Sequence, residues 1–229
     1  MGGRRANEFT VGHHRKEIIR GMVSSMGNIN KFDGIAAQYD TPERAAVASV
    51  IAGRIRACVG AAPDKTAIDY GCGTGLVGLQ LLDIFKSILF VDASENMLAA
   101  VAGKNASART LRADIMAGAR LPAADYILLV QTLLHEKDTR ALLARLCGAL
   151  NEGGRLLLVD FDKNQRVSSP DIHNGFDRRE LAGILEKLGC RLNSAETFYH
   201  GENLLMGRDA SLFLMDAEKL PPQDPFRQD

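Results

Sequence analysis

Short apolar runs alternate with segments of helical periodicity through the middle of the chain. Five runs read as strands, because each is only three to six residues long and is bounded by turn-forming or charged residues: 66–70, 88–91, 110–112, 126–130 and 156–161. Strands that are apolar throughout are typical of a parallel sheet buried on both faces. The alternation therefore predicts an α/β fold with right-handed crossovers and helices on both faces of the sheet.

The helices between these strands are marked by residues that begin or end them. Thr41 followed by Pro42 suits the start of a helix that Gly60 ends, and Asp177 with Glu180 forms a capping box. We predict further helices over 76–85, from the cap Ser94 to about Ala102, and over 141–150 after the cap Asp138. A polar loop over 162–175 precedes the last helix, and two more strands follow at about 191–198 and 210–215.

Composition narrows the class of protein. The 229 residues fit one α/β domain with additions, and the formal net charge of zero gives no overall attraction for nucleic acid. Four scattered cysteines without a Cys-x-x-Cys pair favour reduced thiols and a cytoplasmic location. No apolar run approaches the roughly 20 residues of a membrane span, and no signal peptide is apparent.

Both ends of the chain differ from the ordered middle. Residues 1–31 are rich in Arg, Gly and Asn and lack periodicity, so we predict an extension that is disordered or not native to the protein. His13 and His14 lie within it, but two adjacent histidines without a third ligand predict no metal site. The tail, residues 218–229, is predicted to be disordered.

The first strand leads into the most informative motif, an aspartate followed by three alternating glycines. Asp69 is followed by Gly71, Gly73 and Gly75. Glycine accepts positive φ and lets a ligand approach the backbone. The free N–H groups of such a loop favour an electron-rich ligand, and nucleotides bind in this crevice of open α/β sheets.

Carboxylates also follow the next two strands. Asp92 comes 23 residues after Asp69 and suits the hydroxyls of a ribose, as in dinucleotide folds. The alternative role for Asp92 is a favourable charge at a helix N-terminus. Asp114 follows the third strand, where a plain turn aspartate is the alternative.

These motifs resemble those of the class I S-adenosylmethionine-dependent methyltransferases, over about 32–217. The segment 125–138, D-Y-I-L-L-V-Q-T-L-L-H-E-K-D, is similar to the Leu-His-His pattern of ubiquinone-biosynthesis-like small-molecule methyltransferases, also called the methyltransferase type 11-12 group. Leu134 and His135 match that pattern, whereas Glu136 replaces the second histidine. The segment 32–40, with Phe32, Tyr39 and Asp40, resembles the N-terminal segment that folds over the cofactor in that group.

The resemblance implies a Rossmann-like, seven-stranded, mostly parallel sheet with an antiparallel final strand. It implies one domain over 32–217, in which 32–60 forms the N-terminal lid and helix. It also implies S-adenosylmethionine as cofactor, S-adenosylhomocysteine as product and a small-molecule methyl acceptor. The implied cofactor-binding residues are Tyr39, Asp69, Gly71, Cys72, Gly73, Asp92, Ala93, Met97, Asp114, Ile115 and Gln131.

Several of these residues also have an alternative structural role. Asp69 would meet the methionine ammonium or bond the loop backbone, Met97 would pack on adenine or in the core, and Tyr39 would touch ligand or anchor its segment. His135 is the candidate catalytic base, with a structural role as the alternative. Acceptor contacts are expected from the lid, from 160–174 with His173, and from 199–203 with His200.

Two other functional classes stay open at this stage. Gly73-x-Gly75-x-x-Gly78 also fits the fingerprint of nicotinamide-dependent oxidoreductases, although Asp69 and Gly71 interrupt the apolar strand expected there, and no Tyr-x-x-x-Lys pair occurs. A cofactor-binding regulator with this fold is the other alternative. Nucleic-acid methylation is disfavoured by the neutral charge and by the absence of an Asn-Pro-Pro-Tyr-type motif after the fourth strand.

Overall fold

The computed structural model describes residues 39–222, which form a seven-stranded mixed sheet flanked by helices. The strands are β1 (Ala62–Tyr70), β2 (Phe85–Asp92), β3 (Arg109–Arg112), β4 (Ala124–Val130), β5 (Leu150–Phe161), β6 (Cys190–Leu205) and β7 (Arg208–Lys219). The helices are α1 (Pro42–Val59), α2 (Glu95–Lys104), α3 (Thr139–Ala149) and α4 (Arg178–Lys187), with 3₁₀ turns at Gly78–Leu81 and Leu133–His135.

The strand order is β3-β2-β1-β4-β5-β7-β6. β1 to β5 pair in parallel, whereas β7 runs antiparallel to both β5 and β6. The predicted Rossmann-like sheet with an antiparallel final strand is therefore confirmed. Its centre is the core of the molecule, because side chains such as Leu128 on β4 and Leu157 on β5 are fully buried.

Four predicted helix starts are confirmed by their capping hydrogen bonds. The Thr41 hydroxyl accepts from the Arg44 N–H at 3.3 Å, and Ser94 accepts from Met97 at 3.2 Å. The Asp138 carboxylate accepts from Ala141 at 2.9 Å. Asp177 accepts from two N–H groups of α4, at 2.8 and 3.4 Å. Each cap satisfies a backbone donor that has no partner within its helix.

The prediction of a helix over 76–85 is wrong, because the structure forms only the 3₁₀ turn there. Arg56 of α1 donates to the Gln80 carbonyl at 2.7 Å and to the Asp83 carboxylate at 2.6 and 2.9 Å. The Ile84 N–H bonds the Leu81 carbonyl, as in a 3₁₀ turn, whereas a continuing α-helix would bond it to the Gln80 carbonyl. β2 then begins at Phe85, which is buried with its ring centroid 5.1 Å from that of Tyr126.

The last two strands are longer than predicted. β7 continues to Lys219, so the predicted boundary of the tail at residue 218 is wrong, and the Leu220 N–H still bonds the Gly189 carbonyl at 2.9 Å. The predicted extension, residues 1–31, and most of the tail, residues 223–229, lie outside the described residues, as do His13, His14 and Phe32. Among residues 39–222, none of the helices combines the length and the hydropathy of a membrane-spanning segment.

Candidate functional site

A cleft of about 1830 Å³ opens at the carboxyl ends of β1, β2 and β4. Parallel strands present their carboxyl ends at one edge, so the residues after each strand meet there. Nearly all of the predicted site residues line this cleft: Tyr39, Asp69, Gly71, Cys72, Gly73, Asp92, Ala93, Met97, Asp114, Gln131 and His135. Ile115 is the exception.

The glycines of the loop after β1 serve two different purposes. Gly71 has φ +68° and lies so close to Thr132 that a Cβ would overlap that side chain. Gly73 has φ +54°, and a Cβ there would meet only the Tyr39 ring, at 3.9 Å. The backbone at Gly73 therefore faces the open cleft, where a bound molecule can lie against it.

Asp69 borders the cleft but is largely covered by this loop, with only 2% of the residue exposed. Its side chain is almost fully buried and accepts a hydrogen bond from the Gly78 N–H. Burial, followed by the nearby Asp92 charge, raises the pKa of Asp69 to about 7. The backbone role considered for Asp69 is thus observed, and contact with a ligand ammonium stays a prediction.

Asp92 joins the end of β2 to the glycine loop. One carboxylate oxygen accepts from the Gly73 N–H and the other from the Ser94 N–H, both at 2.9 Å. These bonds fix the carboxylate at the cleft wall, beside Gly73. Met97 follows on α2 and is 1% exposed, as its predicted core role requires; it also borders the cleft, and its contact with an adenine stays a prediction.

The segment after β3 matches the sequence prediction only in part. Asp114 lines the cleft, but one of its oxygens accepts from the Met116 and Ala117 N–H groups at 2.8 and 3.2 Å, as in a turn aspartate. Ile115 is 2% exposed, and its N–H is 3.4 Å from the Tyr70 hydroxyl. The structure therefore does not bring Ile115 to the cleft, because the Tyr70 side chain occupies the N–H that was expected to meet a ligand.

Tyr39 and Asp40, the described residues before Thr41, contact the glycine loop. The Tyr39 ring lies across from Gly73, with the Arg44 guanidinium 4.1 Å from its centroid. Asp40 receives a hydrogen bond from the Thr74 hydroxyl and an ion pair from the Lys104 ammonium, both at 2.5 Å. Lys104 also donates to the Thr74 carbonyl at 2.7 Å. Thr74 and Lys104 were not predicted, because a contact between such distant positions leaves no local pattern.

The connection after β4 places two predicted residues at the cleft. Gln131 has φ +48°, which is uncommon for a residue with a Cβ, and its N–H donates to the Val159 carbonyl at 2.7 Å. Such conformations persist where the surroundings enforce them, and they concentrate at functional sites. His135 ends the following 3₁₀ turn, with its side chain half-buried at the cleft.

The far end of the cleft is built by the segments expected to meet an acceptor. Phe161 and Ile172 line it from the chain after β5, and Tyr199 lines it from β6. The end of β6 and the turn to β7 also contribute, through residues 202–206. Sequence reasoning did not include Leu204, Leu205 and Met206, because β6 was predicted to end at residue 198.

Two histidines predicted for this region lie elsewhere. His173 bonds the Glu136 carbonyl through Nε2 at 2.8 Å, and His200 bonds the Ser211 hydroxyl through Nδ1 at 2.7 Å. Neither side chain is among the residues that line the cleft. Other residues of the two segments line the cleft, whereas these two side chains bond partners of their own.

Comparisons with known proteins agree with this geometry. Residues 44–195 match the family described as methyltransferase domain. An uncharacterized methyltransferase from Mycobacterium bovis is 37% identical over 115 residues, which is 48% of this chain and 55% of that protein. The match thus spans about half the length of this curated relative.

Solved structures share the fold at low sequence identity. An S-adenosylmethionine-dependent methyltransferase from Methanosarcina mazei superposes with a TM-score of 0.59 at 17% identity, covering 69% of this chain and 93% of that one. The N-methyltransferase NodS from Bradyrhizobium japonicum, in complex with S-adenosylhomocysteine, gives 0.65 at 15% identity, covering 85% and 98%. The chain belongs to the methyltransferase-domain family.

Proposed function

We propose that the protein binds S-adenosylmethionine in this cleft and transfers its methyl group to a small-molecule acceptor. The observation that carries the proposal is the open backbone of Gly73, opposite Tyr39 and beside the Asp92 carboxylate. Membership of the methyltransferase-domain family and the sheet order support it further.

The residues of the cleft fit the chemical parts of this cofactor. Asp92 is a hydrogen-bond acceptor held at the cleft wall, which suits ribose hydroxyls, and Asp114 with Met97 suits an adenine. Asp69 borders the same cleft, and an approaching cation such as a ligand ammonium would favour its ionised form. When bound, the cofactor supplies a methyl group on a positively charged sulfur, which is the reactive part of the chemistry.

The chain's own contribution is positioning and exclusion of water. Tyr39 covers the glycine loop from one side, and the strained Gln131 holds the other wall at a fixed place. A rigid cleft of this kind orients an acceptor and keeps solvent away from it. His135 faces the same cleft and would accept a proton if the acceptor is a hydroxyl; its alternative role is to bond neighbouring loops.

Calorimetry with S-adenosylhomocysteine tests the proposal. We expect wild-type protein to bind it, and Asp92→Ala to weaken binding by about 5- to 150-fold, as expected for loss of about 1–3 kcal/mol of hydrogen bonding. Glu95→Ala is the matched control, because Glu95 is an exposed carboxylate on the same segment that pairs with Arg112 outside the cleft.

The same titrations separate the rival functions. Affinity for NADH in place of S-adenosylhomocysteine would overturn the proposal in favour of an oxidoreductase. Tight binding of S-adenosylhomocysteine with no methyl transfer from labelled S-adenosylmethionine to any compound of a metabolite extract would favour a regulatory role. Unchanged affinity in folded Asp92→Ala would remove Asp92 from the site.

A further inference from the structure

The 3₁₀ turn that ends at His135 is hydrogen-bonded to a buried carboxylate that does not line the cleft. Asp160, at the end of β5, is fully buried. One of its oxygens accepts from the Leu134 N–H at 3.2 Å, and the other accepts from Phe161 at 2.8 Å. The Leu133 N–H bonds the same carboxyl group. Asp160 thus satisfies two backbone donors of the 3₁₀ turn, which would otherwise be buried without partners.

A second residue holds this turn from the other side. The backbone N–H of His173 donates to the Leu134 carbonyl at 2.8 Å, and the imidazole Nε2 of His173 bonds the Glu136 carbonyl at the same distance. Because a carbonyl only accepts, His173 must carry its proton on Nε2. The ring also packs on Phe176, with centroids 5.1 Å apart. His135 therefore lies between two residues whose backbone carbonyls are bound by His173.

We propose that Asp160 and His173 are positioning residues that fix the turn from Leu133 to Glu136, and with it the imidazole of His135 at the cleft. Both act through backbone groups, so neither needs to touch a ligand, and neither lines the cleft. The turn begins two residues after the strained Gln131, whose N–H is bonded to the Val159 carbonyl of β5. A catalytic role for the positioned His135 rests on the proposed function, whereas the positioning of the turn by Asp160 and His173 is independent of it.

The first test uses the histidine ring signals in nuclear magnetic resonance spectra. His173→Leu removes the ring donor, whereas His173→Gln keeps an N–H at a similar place. We expect the His135 signal to shift and broaden in His173→Leu and to return toward its wild-type position in His173→Gln. His200 is the internal control, since its ring is bound to Ser211 away from this turn. An unmoved His135 signal in His173→Leu would overturn the role of His173.

Asp160→Asn tests the carboxylate. An asparagine side chain has one accepting oxygen and one NH₂ group. The NH₂ group would therefore face either the Leu134 N–H or the Phe161 N–H, and two donors repel each other. We expect the His135 and His173 signals to move together while His200 stays in place. Leu185→Ala is the control for a general loss of stability, because it creates a cavity beneath α4 and Leu185 does not line the cleft. It should leave all three histidine signals unchanged.

Amide hydrogen exchange in the wild-type protein covers the case in which Asp160→Asn does not fold. We expect the Leu133 and Leu134 amides to exchange as slowly as core amides of β5. Exchange at the rate of unstructured amides would show that Asp160 does not hold the turn. These readouts need no acceptor, so failure of wild-type protein to bind S-adenosylhomocysteine would contradict the proposed function and leave the positioning result separate.

Discussion

At the scale of single residues, the glycines of this chain illustrate how the same residue type answers different physical needs. Gly73 leaves backbone open to the cleft, whereas Gly78 makes room for the buried Asp69 carboxylate and the Phe90 ring. Gly103, near the end of α2, has no atom within 4 Å of the place of a Cβ. Of these three, only Gly73 has a place in the proposed cofactor site.

This difference predicts opposite effects of the same substitution. Gly78→Ala should lower the free energy of unfolding by about 1–3 kcal/mol, because its methyl group would overlap Asp69 and Phe90. Gly103→Ala should raise it by up to about 1 kcal/mol, since alanine favours the helical backbone. Urea denaturation monitored by circular dichroism measures both. Equal effects of the two substitutions would contradict the packing assigned to Gly78.

At the scale of elements, the segment before α1 is fastened to the glycine loop by a small charged cluster. Asp40, Thr74 and Lys104 bond one another, and Lys104 belongs to α2. The cluster thereby links three elements around the cleft: the N-terminal segment, the loop after β1 and the helix after β2. Tyr39 is held over Gly73 as a consequence, because it directly precedes Asp40.

A double-mutant cycle on Asp40 and Lys104 tests this link. We expect Asp40→Ala and Lys104→Ala each to weaken binding of S-adenosylhomocysteine, with the double variant losing less than the sum. The coupling should be on the order of 0.5–1.5 kcal/mol, since the pair is partly exposed but shares Thr74. Calorimetry measures each affinity, and Arg112→Ala, which removes an exposed pair with Glu95, is the control. Additive losses would show that the two side chains act independently.

The elements also show what sequence can and cannot predict. Strand ends and capping residues such as Ser94 and Asp138 were predicted, because their signals are local. The helix over 76–85 was predicted from periodicity and is absent; the segment instead bonds Arg56 of α1 through Gln80 and Asp83, a contact that its own pattern does not contain. In the same way, Ile115 was placed at the cleft by analogy, but the Tyr70 hydroxyl lies against its N–H. Contacts between distant positions decide these points, and local pattern does not contain them.

At the scale of the whole molecule, two carboxyl groups differ from the other acids because they are buried, and ionising a buried carboxyl group costs free energy. Asp69 and Asp160 are both buried, and burial raises the pKa of each to about 7. Three backbone N–H bonds oppose this effect at Asp160 but do not cancel it. By contrast, the pKa values of Asp83 and Asp125 are lowered by Arg56 and by the Thr66 N–H, respectively. The two groups of acids should therefore affect stability in different ranges of pH.

The raised pKa values predict that the protein loses stability as pH rises from about 4 to 7. In that range the unfolded chain has lost the protons that folded Asp69 and Asp160 still retain, so the free energy of unfolding falls by up to about 1.4 kcal/mol per pH unit for each group. The stabilisation is complete below the unfolded pKa and is lost through the folded value near 7. Asp83 and Asp125 act with the opposite sign and lose their contribution only at lower pH.

Urea denaturation at several pH values should show this fall in the free energy of unfolding, and Asp69→Asn should reduce its slope because an amide does not titrate. A flat profile in wild-type protein, or an unchanged slope in Asp69→Asn, would mean that these carboxyl groups are ionised in the folded state throughout this range.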